Sequence, residues 1–374
     1  MHLRPTLALL CLIPTLLHAQ TPDTQTTTIT ARSTLVVIPA LVRTKSGDLV
    51  YTLIAKDFTL TDDGIEQPLT LEEDTGGQPL ALVVAIETGS DGARKLDQYS
   101  TLITMIDNLV GNVPHKIALV TFDGAPNLLQ DFTPNIADVS AALRNVHPGD
   151  RGAAILDALS FSVDMLRKQP QTYRRAILLI SETVDHGSQT KLDDALRAVS
   201  DTNTTIYAAA FSSSRSNSKR ETTKIVSSDP NPGPDHGCFS RNKNDPKVDP
   251  KEKPIEQAWD CLSLLAPPLR LAKLAFLLAI NGLAHNVPET VAHLTGGEYY
   301  AFSNTHNLEQ DLQTISNHVP NRYVLSFHPQ SPHPGLHALQ LTLPDHINLT
   351  ITARTSYWAD DDTGTTPQPA KLSQ

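Results

Sequence analysis

Leu82-Val83-Val84-Ala85-Ile86 is an unbroken apolar run that ends in Glu87-Thr88-Gly89-Ser90-Asp91-Gly92, a carboxylate followed by a loop of small and polar residues. Five apolar residues bounded by turn formers fit a strand covered on both faces, as in a parallel sheet between layers of helices. Runs of the same kind recur at 117–121, 176–180 and 206–211. Between them, Leu96, Tyr99, Leu102, Ile103, Ile106 and Val110 form one stripe at helical spacing, and Ile155, Leu156, Leu159, Val163 and Leu166 another. This alternation predicts an α/β fold with a doubly wound, mostly parallel sheet. Such sheets place binding loops at the carboxyl ends of their strands.

The flanks read differently. Residues 33–78 suggest a small β unit, with an apolar strand at 35–42, turns at Lys45-Ser46-Gly47-Asp48 and Asp62-Asp63-Gly64, and a hinge at Gly76-Gly77-Gln78-Pro79. The α/β domain occupies 79–320 and is broken by an insertion at 212–287, where Ser-rich, Pro-rich and Lys/Asp-rich stretches interrupt the alternation. Within it, 269–283 reads as an apolar helix, either buried or docked on a partner. Residues 321–357 carry three alternating strands, at 323–327, 339–343 and 347–353. They are expected to pair with 33–78, because neither flank has enough strands to be stable alone. Polar residues 20–32 and 358–374 are expected to be disordered.

Arg4, the apolar stretch 7–17 and Leu17-His18-Ala19 together read as an export signal spanning 1–19. The apolar run is far shorter than the ~20 residues of a spanning helix. The expectation is an exported protein, periplasmic, at the cell surface or secreted, with no transmembrane segment after cleavage. The remaining 29 basic and 40 acidic residues, without a Lys/Arg cluster, argue against nucleic acid as a partner. Only Cys238 and Cys261 survive cleavage, and in an exported chain a disulfide between them is expected, worth roughly 3 kcal/mol by chain entropy.

The strand that ends in Glu87-Thr88-Gly89-Ser90, together with Gly152-Ala153-Ala154-Ile155-Leu156-Asp157-Ala158 and Ile177-Leu178-Leu179-Ile180-Ser181-Glu182, resembles the von Willebrand factor A domain, which is Rossmann-like. With Asp57-Phe58, Asp63-Gly64, Thr295-Gly296-Gly297 and Arg322-Tyr323-Val324-Leu325, residues 33–357 are similar to the exported von Willebrand A-related proteins abundant in Acidobacteria. The resemblance implies a module that binds another protein and works without catalysis.

It also implies a metal-ion-dependent adhesion site, in which D-x-S-x-S, a Thr from a second loop and an Asp after the fourth strand hold Mg²⁺ by oxygen coordination. Here Glu87 stands for the Asp, Gly89 and Asp91 for the two Ser, Ala153 for the Thr and Glu182 for the last Asp. Gly89 and Ala153 offer no side-chain oxygen, so the site is degenerate and no bound cofactor is expected. The alternative is a divalent cation such as Mg²⁺ or, with three carboxylates, Ca²⁺. The expected recognition surface is an acidic rim of Glu87, Ser90, Asp91 and Glu182. Restoring all five positions (Glu87→Asp, Gly89→Ser, Asp91→Ser, Ala153→Thr, Glu182→Asp) is expected to create Mg²⁺ affinity. The competing function is a hydrolase or other enzyme using the loops after 82–86 and 176–180. Against it, Thr88 replaces the first Gly of G-x-S-x-G, and Asp185-His186 reads as a solvated loop.

Overall fold

In the computed structural model, which describes residues 35–72, 77–99, 101–111, 113–213, 286–330 and 333–360, each apolar run of the central region is a strand. The strands are β1 (Val36–Thr44), β2 (Thr59–Asp62), β3 (Ile65–Gln67), β4 (Thr70–Leu71), β5 (Leu80–Glu87), β6 (His115–Phe122), β7 (Pro126–Thr133), β8 (Arg174–Glu182), β9 (Thr205–Phe211), β10 (Tyr299–Phe302), β11 (Tyr323–Phe327), β12 (Gly335–Thr342), β13 (Leu349–Ala353) and β14 (Ser356–Ala359). The helices are α1 (Ser90–Ala93), α2 (Leu102–Val110), α3 (Ile136–Arg144), α4 (Ile155–Arg167), α5 (Leu192–Asp201), α6 (Val287–Thr295) and α7 (Thr305–His318). All of these elements lie in one compact unit, Ser33–Gln374.

The central sheet has the order β10-β9-β8-β5-β6-β7 and is parallel except for β7. Every residue of β5 is buried, and its side chains divide by parity as a strand requires. Leu80, Leu82, Val84 and Ile86 pack with α2, α3 and α7, whereas Ala81, Val83 and Ala85 pack with α4, α5 and α6. The mostly parallel, doubly wound sheet read from the sequence is therefore the observed one. It gains an antiparallel edge, β7, which has exposed and half-buried side chains, a Pro at its start and a shifted register against β6, so it lacks any clean apolar pattern.

Two smaller sheets, β13-β1-β11-β4 and β14-β12-β2-β3, take strands from both ends of the chain and share one core. Strand β1 pairs with β11 and β13, and β2 pairs with β12. Two boundaries need correction. The loose tail expected from 358 onward begins later, because Trp358 and Ala359 belong to β14, where the Trp358 amide donates to Ser200 Oγ at 2.7 Å. The insertion ends earlier: Val287 is buried at the start of α6, which Asn286 caps by accepting from the Glu289 amide at 3.2 Å. The helix read at 269–283, the signal at 1–19, the lead-in at 20–32, and Cys238 and Cys261 lie outside the described residues.

The family-like Gly296-Gly297 and Arg322 segments are structural. A Cβ on Gly297 would stand 1.9 Å from the Ile206 carbonyl oxygen, so only glycine lets α6 close onto β9. Arg322 then bonds the Gly296 carbonyl and pairs with buried Glu298 at 2.8 Å, and His318 Nδ1 lies 2.8 Å from the same carboxylate. Charges this deep are stable only when paired and hydrogen-bonded, as these are.

Candidate functional site

Because β5, β6, β8 and β9 run parallel, Glu87, Asp123, Glu182 and Ser213 meet at one edge of the sheet. The chain closes over that edge by backbone contact. A Cβ on Gly89 would lie 2.3 Å from the Gly152 carbonyl oxygen and 2.8 Å from that of Asp150, so the β5 loop touches the 147–154 loop directly. Ser90 has a left-handed φ of 44°, and its Oγ accepts from the Gly152 amide at 3.2 Å. Asp123 reaches across with Oδ2, accepting from the Asp150 amide at 2.9 Å. Ala153 exchanges two backbone hydrogen bonds with His186, at 3.0 and 2.9 Å.

The expected acidic rim is not a rim. Glu87 is 0% exposed and Glu182 1%, with Gly92 of the β5 loop bonded to the first and Ser213 to the second. Glu87 Oε1 accepts from the Gly92 amide at 3.2 Å and Oε2 from the Glu182 amide at 2.7 Å. Glu182 accepts from Ser213 Oγ and lies 3.4 Å from His186 Nδ1. Asp91 pairs with Arg94 and is partly buried. Burial pushes the Glu87 carboxyl up to about 8; its two amide donors oppose this, and the Glu182 charge adds to it. Two carboxyls and Ser90 are thus brought together, but as a closed hydrogen-bonded plug.

These residues do not fit Mg²⁺. Gly89 and Ala153 supply no oxygen, both oxygens of Glu87 are already acceptors for backbone amides, and Glu182 is engaged by Ser213 and His186. An octahedral ion would need those lone pairs and several waters besides.

Ser90 and Asp185-His186, singled out for the hydrolase alternative, have local partners. Ser90 Oγ meets the Gly152 amide and, among the described residues, no histidine. Asp185 is bound to the Leu156 amide at 3.1 Å and Ser188 Oγ at 2.6 Å, which fastens the β8 loop to the start of α4. His186 is largely buried beside Glu182, a correction to its expected solvated state. A left-handed serine after a strand is shared with hydrolases, but a nucleophile also needs a base in hydrogen-bond reach.

What remains accessible at this edge is a cleft of about 340 Å³ bounded by Thr88, Asp123, Asn127, Asn145, His147 and Gly149. Its outer wall, 147–151, is exposed throughout. A larger cleft of about 710 Å³ opens at the opposite edge of the sheet. There Arg175 donates to the carbonyls of Leu166, Gln169 and Thr202, a structural role.

Sequence reasoning passed over one further cluster. Asp63, His333 and His337 lie on the smaller sheets with ligand atoms within 4.8 Å of one another. The only linear trace of it is the pair of histidines four apart, beside a turn that read simply as Asp-Asp-Gly.

The profile of the von Willebrand factor type A domain matches residues 86–184. Among solved structures, proximal thread matrix protein 1 from the mussel byssus is 16% identical, with a TM-score of 0.32, over 39% of this chain and 38% of that one. BatB from Bacteroides thetaiotaomicron is 13% identical, with a TM-score of 0.35, over 64% of this chain and 99% of that one. The Rpn10 von Willebrand A domain is 14% identical, with a TM-score of 0.30, over 36% and 76%. The chain thus spans about two fifths of the mussel protein's length. No curated protein matches it.

Proposed function

We infer that this chain, which carries a von Willebrand factor A-related domain, is an exported, non-enzymatic protein-interaction module that binds its partner without a divalent cation at the sheet edge. The observation that carries this reading is the closed plug around Glu87. Loops that in a metal-dependent site would present oxygens to an ion are here joined to each other by backbone hydrogen bonds, Gly149 to Thr88, Ser90 to Asp150 and Ala153 to His186, while the Glu87 carboxyl accepts from two amides. A partner would meet the 123–125 and 147–151 loops, which remain exposed or half-exposed, in place of a carboxylate rim. The export signal and the partner-binding role rest on the sequence of 1–19 and on the domain type. No described helix is long and apolar enough to cross a membrane.

Cross-linked capture from envelope extract by the immobilised protein is the test. The same partner should be recovered in EDTA and in Mg²⁺, and Arg151→Glu, on the exposed loop, should reduce recovery about tenfold, a change worth ~1.4 kcal/mol. Recovery only in Mg²⁺, or turnover of ester or peptide substrates abolished by Ser90→Ala, would refute the reading.

A further inference from the structure

We propose that Asp63, His333 and His337 form a binding site for a late first-row divalent metal ion of the zinc type, built on the β unit and separate from the sheet edge. The backbone delivers the ligands. Strand β2 ends in the turn Asp62-Asp63-Gly64, where Asp63 has a φ of 49° and Gly64 of 83°, and strand β12 lies alongside with Asp62 opposite Leu339. The Asp63 amide donates to the Ala338 carbonyl at 2.9 Å, and Asp63 Oδ1 accepts from the Ala338 amide at 3.0 Å. That clamp leaves Oδ2 aimed at His337 Nδ1, 2.9 Å away.

The imidazole of His337 is itself oriented as metal-bound imidazoles are. Its Nε2 lies 2.7 Å from the His333 carbonyl oxygen, so the proton belongs on that nitrogen and Nδ1 is the one presented to the carboxylates. Tyr357 stacks on the ring with centroids 4.7 Å apart and donates to Asp62 Oδ2 at 2.7 Å. Asp62 Oδ1 then comes within 3.2 Å of Nδ1 as well. The Nδ1 nitrogen and two carboxylate oxygens converge on one point and demand a positive charge there. A proton would satisfy Nδ1, but it gives no reason for a second imidazole to be drawn in. The His333 ring lies against that of His337, with centroids 4.2 Å apart, and its nitrogen completes the three-ligand set.

Two imidazoles and a carboxylate suit Zn²⁺, Co²⁺ or Ni²⁺, whereas Mg²⁺ and Ca²⁺ prefer all-oxygen shells. His333 is exposed and can turn to shorten its reach, while Asp63 and His337 are buried and fixed. Water or a neighbouring carboxylate would fill the fourth position of a tetrahedral site.

The full-length protein, stripped with EDTA and dialysed, is titrated with Zn²⁺ in a calorimeter and with Co²⁺ by visible absorption. One equivalent should bind, with the intense visible bands of tetrahedral Co²⁺. His333→Ala, at an exposed position, and Asp63→Asn, which keeps a residue tolerant of the left-handed turn, should each weaken binding by roughly 10–100-fold with unchanged circular dichroism. Absence of one-equivalent binding by the parent would overturn the proposal. So would binding that survives both substitutions, since that would place the ion on other histidines or on the cysteines.

Discussion

Stability is expected to fall as pH rises from about 4.5 to about 8, by roughly 5 kcal/mol traceable to Glu87. The sign follows from the direction of the shift. In the unfolded chain this carboxyl ionises near its ordinary value of 4.5, whereas in the folded protein burial holds its proton until about 8. Between those values the folded state binds more protons, so the stabilisation present below 4.5 is lost progressively and the curve levels off above 8. Urea unfolding across this range, compared with Glu87→Gln, isolates the contribution from that of the histidines. The variant should flatten the slope whatever it does to the absolute stability, because its amide group cannot ionise. Equal slopes in the two proteins would mean that Glu87 is ionised in the fold and that the plug is wetter than it looks.

A second large effect is expected from Gly89→Ser, the substitution that rebuilding a metal shell would require. The new Cβ would meet the carbonyl oxygens of Gly152 and Asp150 at 2.3 and 2.8 Å, and both are backbone atoms that cannot rotate away. Overpacking of this kind costs about 3 kcal/mol, read as a lowered unfolding midpoint in calorimetry. The five-substitution set expected from the sequence to create Mg²⁺ affinity should therefore be limited by its second member, and the other four should be better tolerated without it. An unchanged midpoint for Gly89→Ser would show that the 149–152 loop yields.

How far the sequence carried depends on which forces set each feature. Residues 82–86, 176–180 and 206–211 were legible because burial on both faces leaves a continuous apolar signature, and the helical stripes were legible because one face of each helix meets the sheet. Strand β7 was not, since an edge strand with mixed exposure shows no period. The carboxylates illustrate a different failure. Glu87 and Glu182 read as surface charges by residue type, yet Gly92, Ser213 and His186 cover them, contacts that only the tertiary fold creates. Gly89 read as a missing ligand, which is correct chemically, but its physical reason is the close approach of two loops. The Asp63 and His337 pair was hidden by distance along the chain, since nothing local links the β2 turn to β12.

The carboxyl edge of this sheet is closed by the protein's own hydrogen bonds, which occupy the oxygens that Mg²⁺ would need. Calorimetric titration of the unaltered, EDTA-stripped protein with Mg²⁺ tests it most directly. Only dilution heat and no shift of the unfolding midpoint are expected at millimolar Mg²⁺. Tight binding of one equivalent, abolished by Glu87→Gln, would contradict it.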